Sequence, residues 1–357
     1  MTVPAAPLPD VVGLIRALSA DGLFEGAPWL SGGSGRKVSF FSRASMALAS
    51  ASVALSESAS DSRWRLWVPE YFCGDALAPV RHRGLPLSFY PVKDDLSPDL
   101  PKDLSGPGAL LAVHYFGFPN VLDDVSAACR AAGLTLIEDA AHILVPHKGV
   151  GASPWVIYSP HKLLALPAGG VLVFPEDAVS RLPAEAPQES GENARWVVRR
   201  MTQAALRAAR IPWHRGRSAD AASSHSDPVV RALSPFGLSL LKEAEAGFPE
   251  TARRRRENFL RIGDWMAELP GCRPIHRGLP DSVCPYAYPL FVADAQRVVS
   301  RLQALGVPAY RWPDLPPESR GAVARRLAAE TVLLPVHQSL LPRELERMRA
   351  ALHEVFS

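Results

Sequence analysis

The chain has 357 residues, 47% of them hydrophobic and 21% charged, with a formal net charge of +3. Such a composition belongs to a globular protein with room for two or three buried cores, and a charge this mild suits an anionic cofactor or substrate better than a nucleic acid. No window approaches the ~18 uninterrupted apolar residues of a membrane span, and no basic stretch before an apolar core marks a signal peptide. Cys73, Cys129, Cys272 and Cys284 are scattered and form no CxxC pair. Neither a disulfide framework nor a metal site is therefore expected, and a reducing cytoplasm is the expected setting.

In chain order, residues 11–18 are amphipathic and predict a helix packed on the body. Ser31-Gly32-Gly33-Ser34-Gly35 lacks the Gly-Lys-Ser/Thr ending of a nucleotide-binding loop and reads as a flexible turn. Phe40-Phe41-Ser42 then leads into Arg43-Ala44-Ser45-Met46-Ala47-Leu48-Ala49, a helix-forming run. The free N–H groups and positive dipole end at such a start suit a phosphate, with Ser42, Arg43 and Ala44 as candidates. An ordinary capped helix would read the same way. A strand is predicted over 66–69, followed by Glu70-Tyr71-Phe72-Cys73 and a helix to residue 80. Further strands are predicted over 87–90 and 109–113, with a loop over 94–104 between them and a helix over 121–132 after them.

The next apolar run, Leu134 to Ile137, ends abruptly in Glu138 and Asp139. A buried parallel strand looks like this when it delivers a carboxylate to a site at its carboxyl end. A second run, Trp155-Val156-Ile157-Tyr158, ends in Ser159-Pro160-His161-Lys162, and Gly169-Gly170 leads into a third, Val171-Leu172-Val173-Phe174. An acid and a lysine at neighbouring strand ends suit pyridoxal phosphate. A lysine amine condenses with its aldehyde, and a carboxylate keeps its pyridine nitrogen protonated so that the ring acts as an electron sink. A strand-end acid with an unrelated surface lysine would leave the same spacing.

Residues 176–226 are rich in Pro, Ala, Ser and Arg, with one helix predicted over 193–210. The arginines between 195 and 217 lack the aromatic interleaving of a nucleic-acid surface. A long amphipathic helix over 253–269 carries Phe259, Leu260, Ile262 and Trp265 as its apolar members. Arg253 to Arg256 read as a solvated face, or as an anion contact. Strands over 286–292, 308–311 and 331–334 and helices over 295–305 and 342–355 complete a smaller αβ unit. The alternation predicts an α/β protein with a mainly parallel sheet, helical crossovers and a site at the carboxyl ends of its strands. A border near residue 260 divides it into 1–260 and 261–357.

Glu138-Asp139-Ala140-Ala141-His142, then Ser159 and Lys162, then Gly169-Gly170, resembles the DegT/DnrJ/EryC1/StrS family of pyridoxal-phosphate aminotransferases, in a divergent branch. Val113-His114-Tyr115-Phe116-Gly117 and Leu334-Pro335-Val336-His337 extend the likeness from Phe40 to the C-terminus, with a weak middle. The resemblance implies a fold-type-I transferase with a large cofactor-binding domain and a small C-terminal one. It implies Lys162 as the internal-aldimine lysine and later proton carrier, Asp139 as the partner of the pyridine N–H, and His142 against the ring or its 3-hydroxyl side. Ser159, with the Ser42–Arg43–Ala44 helix start, would receive the phosphate, and an aromatic residue at Tyr71, Phe72 or the adjoining Cys73 would cover the ring.

The sequence also departs from the family pattern. Ser42 stands at a glycine position, Ser159 lies three rather than five residues before the lysine, and Ala168 replaces an acid. The GYNYRM-like segment that reaches into a neighbouring subunit is missing, with residues 232–241 in its place. The implied reaction moves an amino group from an amino acid, glutamate foremost, to a keto sugar, nucleotide-linked, in a homodimer that engages neither nucleic acid nor membrane. Elimination or carbon–carbon bond formation on an amino-acid adduct needs the same two residues and stays open, as does a regulatory protein that has kept the fold. Lys162 argues against the dehydratase branch, where histidine replaces it.

Overall fold

The computed structural model describes residues 3–19, 24–30, 35–59, 63–184, 186, 190–211 and 229–357. Most of the glycine-rich turn at 31–35 and the end of the arginine-rich stretch beyond 211 lie outside the described residues. Seven strands form the larger sheet: β1 (Arg36–Phe41), β2 (Arg65–Pro69), β3 (Leu87–Tyr90), β4 (Gly108–Val113), β5 (Leu134–Ala140), β6 (Trp155–Tyr158) and β7 (Gly170–Pro175). Their order is β1-β7-β6-β5-β4-β2-β3. From β3 to β6 every pairing is parallel, while β7 runs antiparallel to both β6 and β1. The exception has a local cause. Between β6 and β7 the chain forms only the Pro160–Lys162 turn of 3-10 helix, too little for the crossover a parallel return requires.

β4 is buried along its whole length, as a central strand covered on both faces must be. The helix Ala44–Ala59 packs against β7, β6 and β4. Its Ala- and Ser-rich surface lets it lie close. At its start the approach is closer still: a Cβ on Gly170 would sit 2.3 Å from the Arg43 carbonyl carbon, so only glycine lets the helix start rest on β7. Residues 231–233 run along the outer edge of β1. The Leu233 N–H donates to the Phe40 carbonyl and the Ser42 N–H to that of Arg231. Ser234 then caps the helix Pro235–Glu245 by accepting from the Gly237 N–H at 3.1 Å, and the N-terminal helix Val11–Ser19 packs on it.

The second sheet comprises β8 (Cys272–Pro274), β9 (Ala287–Val292), β10 (Tyr310–Arg311) and β11 (Thr331–Pro335), in the order β10-β11-β9-β8, antiparallel throughout. The helix Phe248–Ala267 joins the two sheets and buries Phe259, Ile262 and Trp265. Two expectations for it are corrected. Leu260 faces solvent at 52% exposure, and Arg255, read as part of a solvated face, is 1% exposed. A charge is hidden there because neighbouring carbonyls meet it, which helical periodicity cannot foresee. No described helix is long and apolar enough to cross a membrane.

Candidate active site

Strand alternation turns Glu138 and Asp139 to opposite faces of β5. Glu138 goes to the closed side. Its carboxylate accepts the N–H groups of Gly151 and Ser153, both at 2.6 Å, and lies 3.2 Å from His114 Nε2. Burial alone would raise its pKa, but these hydrogen bonds outweigh it and hold the group at about 2. The Asn120 N–H donates to His114 Nδ1 at 2.9 Å, which leaves Nε2 as the protonated nitrogen that faces Glu138.

Asp139 turns the other way, into a cavity that it shares with Lys162. Its Oδ1 accepts the Ala141 N–H at 2.8 Å. Burial raises its pKa, while the Lys162 ammonium and that hydrogen bond pull the other way. Lys162 ends the turn after β6, its N–H donating to the Ser159 carbonyl at 2.9 Å. Its Nζ lies 3.2 Å from His142 Nε2. On the far edge of the imidazole, Nδ1 accepts the Phe116 N–H at 3.2 Å. The face of the ring stacks on Tyr286, with centroids 4.4 Å apart and planes 5° from parallel. With Nδ1 taken by the Phe116 N–H, Nε2 is the nitrogen that faces the lysine.

The cavity is also lined by Ala44 and Ser45, from the first turn of the helix Ala44–Ala59, and by Ser159. The Ser45 hydroxyl is buried with no hydrogen-bond partner among the described residues, which is costly unless something else fills the place. Ser159 Oγ lies 3.1 Å from His161 Nδ1, itself 2.7 Å from the Gly169 carbonyl, so His161 braces the turn that carries the lysine. Of the three residues expected at the helix start, only Ala44 lines the cavity. Ser42 and Arg43 are drawn off toward the 167–169 turn: the Gly169 N–H donates to the Ser42 carbonyl, and the Arg43 guanidinium to that of Pro167 at 3.3 Å. Ser45, one residue further on, lines the cavity instead.

Phe72 and Cys73 line the wall beside Lys162. Burial pushes the Cys73 thiol pKa up, against the pull of the Lys162 ammonium. Tyr71 is corrected as a candidate for covering the ring. It is fully buried, its hydroxyl donates to the Trp312 carbonyl at 2.8 Å and lies 3.1 Å from Thr331 Oγ1, and it offers no face to the cavity. Trp312, which follows β10, supplies an aromatic wall that the sequence reading missed. Its ring meets those of Tyr71, Phe116 and His142 edge-on at 5.1–5.4 Å. The only local signal was an aromatic residue just past a short strand; its place beside residues far away in sequence is a matter of tertiary packing.

A cavity lined by an amine, a carboxylate and a helix start whose buried hydroxyl has no partner among the described residues holds the groups that the aldehyde, ring nitrogen and phosphate of pyridoxal phosphate would need. Residues 105–185, which hold Asp139, His142, Ser159 and Lys162, match the model of the DegT/DnrJ/EryC1/StrS aminotransferase family. Solved structures share the fold over nearly the whole chain. Helicobacter pylori PseC, an aminotransferase involved in the biosynthesis of pseudoaminic acid, superposes with a TM-score of 0.70 at 16% identity, covering 99% of this chain and 98% of that one. The aminotransferase TlmJ from Streptoalloteichus hindustanus gives 0.68 at 19% identity, covering 99% and 100%. The sugar aminotransferase CalS13 from Micromonospora echinospora gives 0.67 at 20%, covering 98% and 99%. At such identities the superpositions speak for the fold, and the family match speaks for the segment that carries the site. Together they show a fold shared with known aminotransferases and, over residues 105–185, a likeness to the DegT/DnrJ/EryC1/StrS aminotransferase family.

Proposed function

We propose that the protein is a pyridoxal-phosphate-dependent aminotransferase that moves an amino group from an amino acid, glutamate foremost, to a keto sugar, nucleotide-linked. The observation that carries this reading is the opening of Lys162, Asp139 and the start of the helix Ala44–Ala59 into one cavity. Lys162 would hold the cofactor through its aldehyde and Asp139 would pair with the pyridine N–H. His142 would face the 3-hydroxyl side, and Ala44, Ser45 and Ser159 would receive the phosphate. Bound there, the cofactor supplies an electron sink for charge left on the substrate α-carbon.

The chain's own residues do the rest. Lys162 Nζ, once released by the incoming amine, takes a proton from the substrate carbon and returns it one position away, as base and then acid. His142 Nε2, 3.2 Å from that nitrogen, keeps it aimed. Asp139 stays ionised when a cation pairs with it, even though burial alone favours its neutral form. Leu48, Phe72, Val113, Ile157 and Trp312 give the cavity an apolar lining that limits water. PseC and CalS13, as proteins of amino-sugar chemistry, support a sugar acceptor. We further propose that the protein works in the cytoplasm as a homodimer, and that its two domains divide near residue 260, within the helix Phe248–Ala267.

The test is spectroscopic. Added pyridoxal phosphate should give a visible band that borohydride fixes at Lys162, glutamate alone should bleach the band and release a keto acid, and one member of a panel of nucleotide-linked keto sugars should restore it. A protein that stays colourless would overturn the reading. Product from a substituted amino acid, with no bleaching by any common one, would move it to elimination or carbon–carbon bond chemistry.

A further inference from the structure

Arg255 has no part in that scheme, yet it is among the largest fully buried side chains of the protein. It lies on the helix Phe248–Ala267, between the two sheets, and does not line the cavity. Its guanidinium reaches to both sides. Nη2 donates to the Leu163 carbonyl at 2.8 Å, Nη1 to the carbonyls of Pro285 and Tyr286 at 3.2 and 3.1 Å, and Nε to Gln338 Oε1 at 2.9 Å. Gln338 Nε2 donates in turn to the same Leu163 carbonyl at 2.9 Å. That carbonyl therefore accepts two N–H groups, one of them charged, from residues that follow the larger sheet in the chain.

The two ends of this fork matter for the site. Leu163 directly follows Lys162. Tyr286 carries the ring that backs His142, whose Nε2 faces the lysine nitrogen. One cation is thus bonded to the main chain of Leu163, beside the lysine, and of Tyr286, whose ring stacks on His142. An apolar side chain would fill the space without the desolvation cost of a buried charge. What the guanidinium adds is a rigid fork of donors in fixed directions.

We infer that Arg255, on the helix that joins the two sheets, and Gln338, from the C-terminal unit, position Lys162 through the Leu163 carbonyl. Arg255 acts through other groups and is a positioning residue. The inference rests on Lys162 being the residue that carries the chemistry, but the contact itself can be tested separately.

Gln338→Met keeps the volume and removes both hydrogen bonds; Arg255→Lys keeps the charge and removes the fork. Amide hydrogen exchange is measured on the full chain, with and without pyridoxal phosphate, at Lys162, Leu163 and Leu164, whose N–H groups are held by the Ser159 and Pro160 carbonyls. Exchange at these three amides should quicken about three- to tenfold, the effect of losing one or two hydrogen bonds. The amides of β6 and of the helix Pro342–Phe356 should not change. In the same variants kcat should fall while KM for the amino donor holds. Unchanged exchange at 162–164, or a rise spread evenly over all strands, would overturn the inference. Failure of the wild-type protein to take up pyridoxal phosphate would instead count against the proposed function and leave the exchange result standing.

Discussion

At the scale of single residues, the proposed function gives Lys162 and Asp139 different duties, and their variants should separate them. Lys162→Ala removes the nucleophile, so turnover should fall by at least about a thousandfold and borohydride should fix nothing. The fold, read by circular dichroism, should stay intact. Asp139→Asn keeps the shape but loses the charge opposite the ring nitrogen; kcat should fall about a hundredfold and cofactor should be retained less well. Ser45 offers a cleaner separation of binding from stability. Because its buried hydroxyl has no hydrogen-bond partner among the described residues, Ser45→Ala should leave the melting temperature of the cofactor-free protein unchanged or slightly raised. If that hydroxyl meets the phosphate, the Kd for pyridoxal phosphate should rise about ten- to a hundredfold, as for a lost hydrogen bond to a charged group. An absorbance titration beside a thermal scan distinguishes the two effects.

At the scale of elements, β5 serves the site with one face and its own support with the other. Glu138 ties the strand end to the loop at 151–153, and its pKa of about 2 makes that tie sensitive to acid. The folded-state value lies below the ~4.3 of an unperturbed glutamate. The carboxylate therefore contributes its full stability above about pH 5, and the contribution is lost as pH falls toward 2. Glu138→Gln should destabilise the protein by about 1–3 kcal/mol at neutral pH, since an amide cannot accept from Gly151, Ser153 and His114 at once. The gap between wild type and variant should narrow on acidification, which denaturant melts at a series of pH values would show. A constant gap would mean that Glu138 acts through packing rather than charge. Both acids were legible in the sequence as a pair at a strand end, and the alternation of a strand gave them opposite faces. Which of them met the cavity was not legible without the sheet.

At the scale of the whole molecule, the cavity is walled from both sheets: Asp139, His142 and Lys162 come from loops and strand ends of the larger one, and Trp312 from beside the smaller. Contacts such as Glu70 accepting the Arg320 and Gly321 N–H groups at 3.1 and 2.9 Å fix the two units against each other beside the Tyr71–Cys73 wall. The proposed homodimer is tested by light scattering on the purified protein, with a mass near twice the 38.6 kDa chain expected. A monomer that still transaminates would show that one chain holds a complete site, as the missing cross-subunit segment would then imply.

What the sequence determined by itself was local in origin. Apolar runs ending in Glu138-Asp139 and in Ser159-Pro160-His161-Lys162 marked the carboxyl ends of two strands, although β5 carries both acids within it and ends at Ala140. Gly169-Gly170 set the tight return that follows. The alternation of strands with helices set a mainly parallel sheet, while the spacing of the acid and the lysine only made them candidates, which the resemblance to a family then singled out. The tertiary structure decided what depends on contacts between distant segments. It exchanged Ser42 and Arg43 for Ser45 at the helix start, since the 167–169 turn takes the first two for itself. Tyr71 went into the core beneath Trp312, and Arg255 turned from an apparent surface charge into a buried fork. In each case the residue type was plain, but at least one deciding partner lay more than ninety positions away. No local periodicity records a hydrogen bond made across that distance.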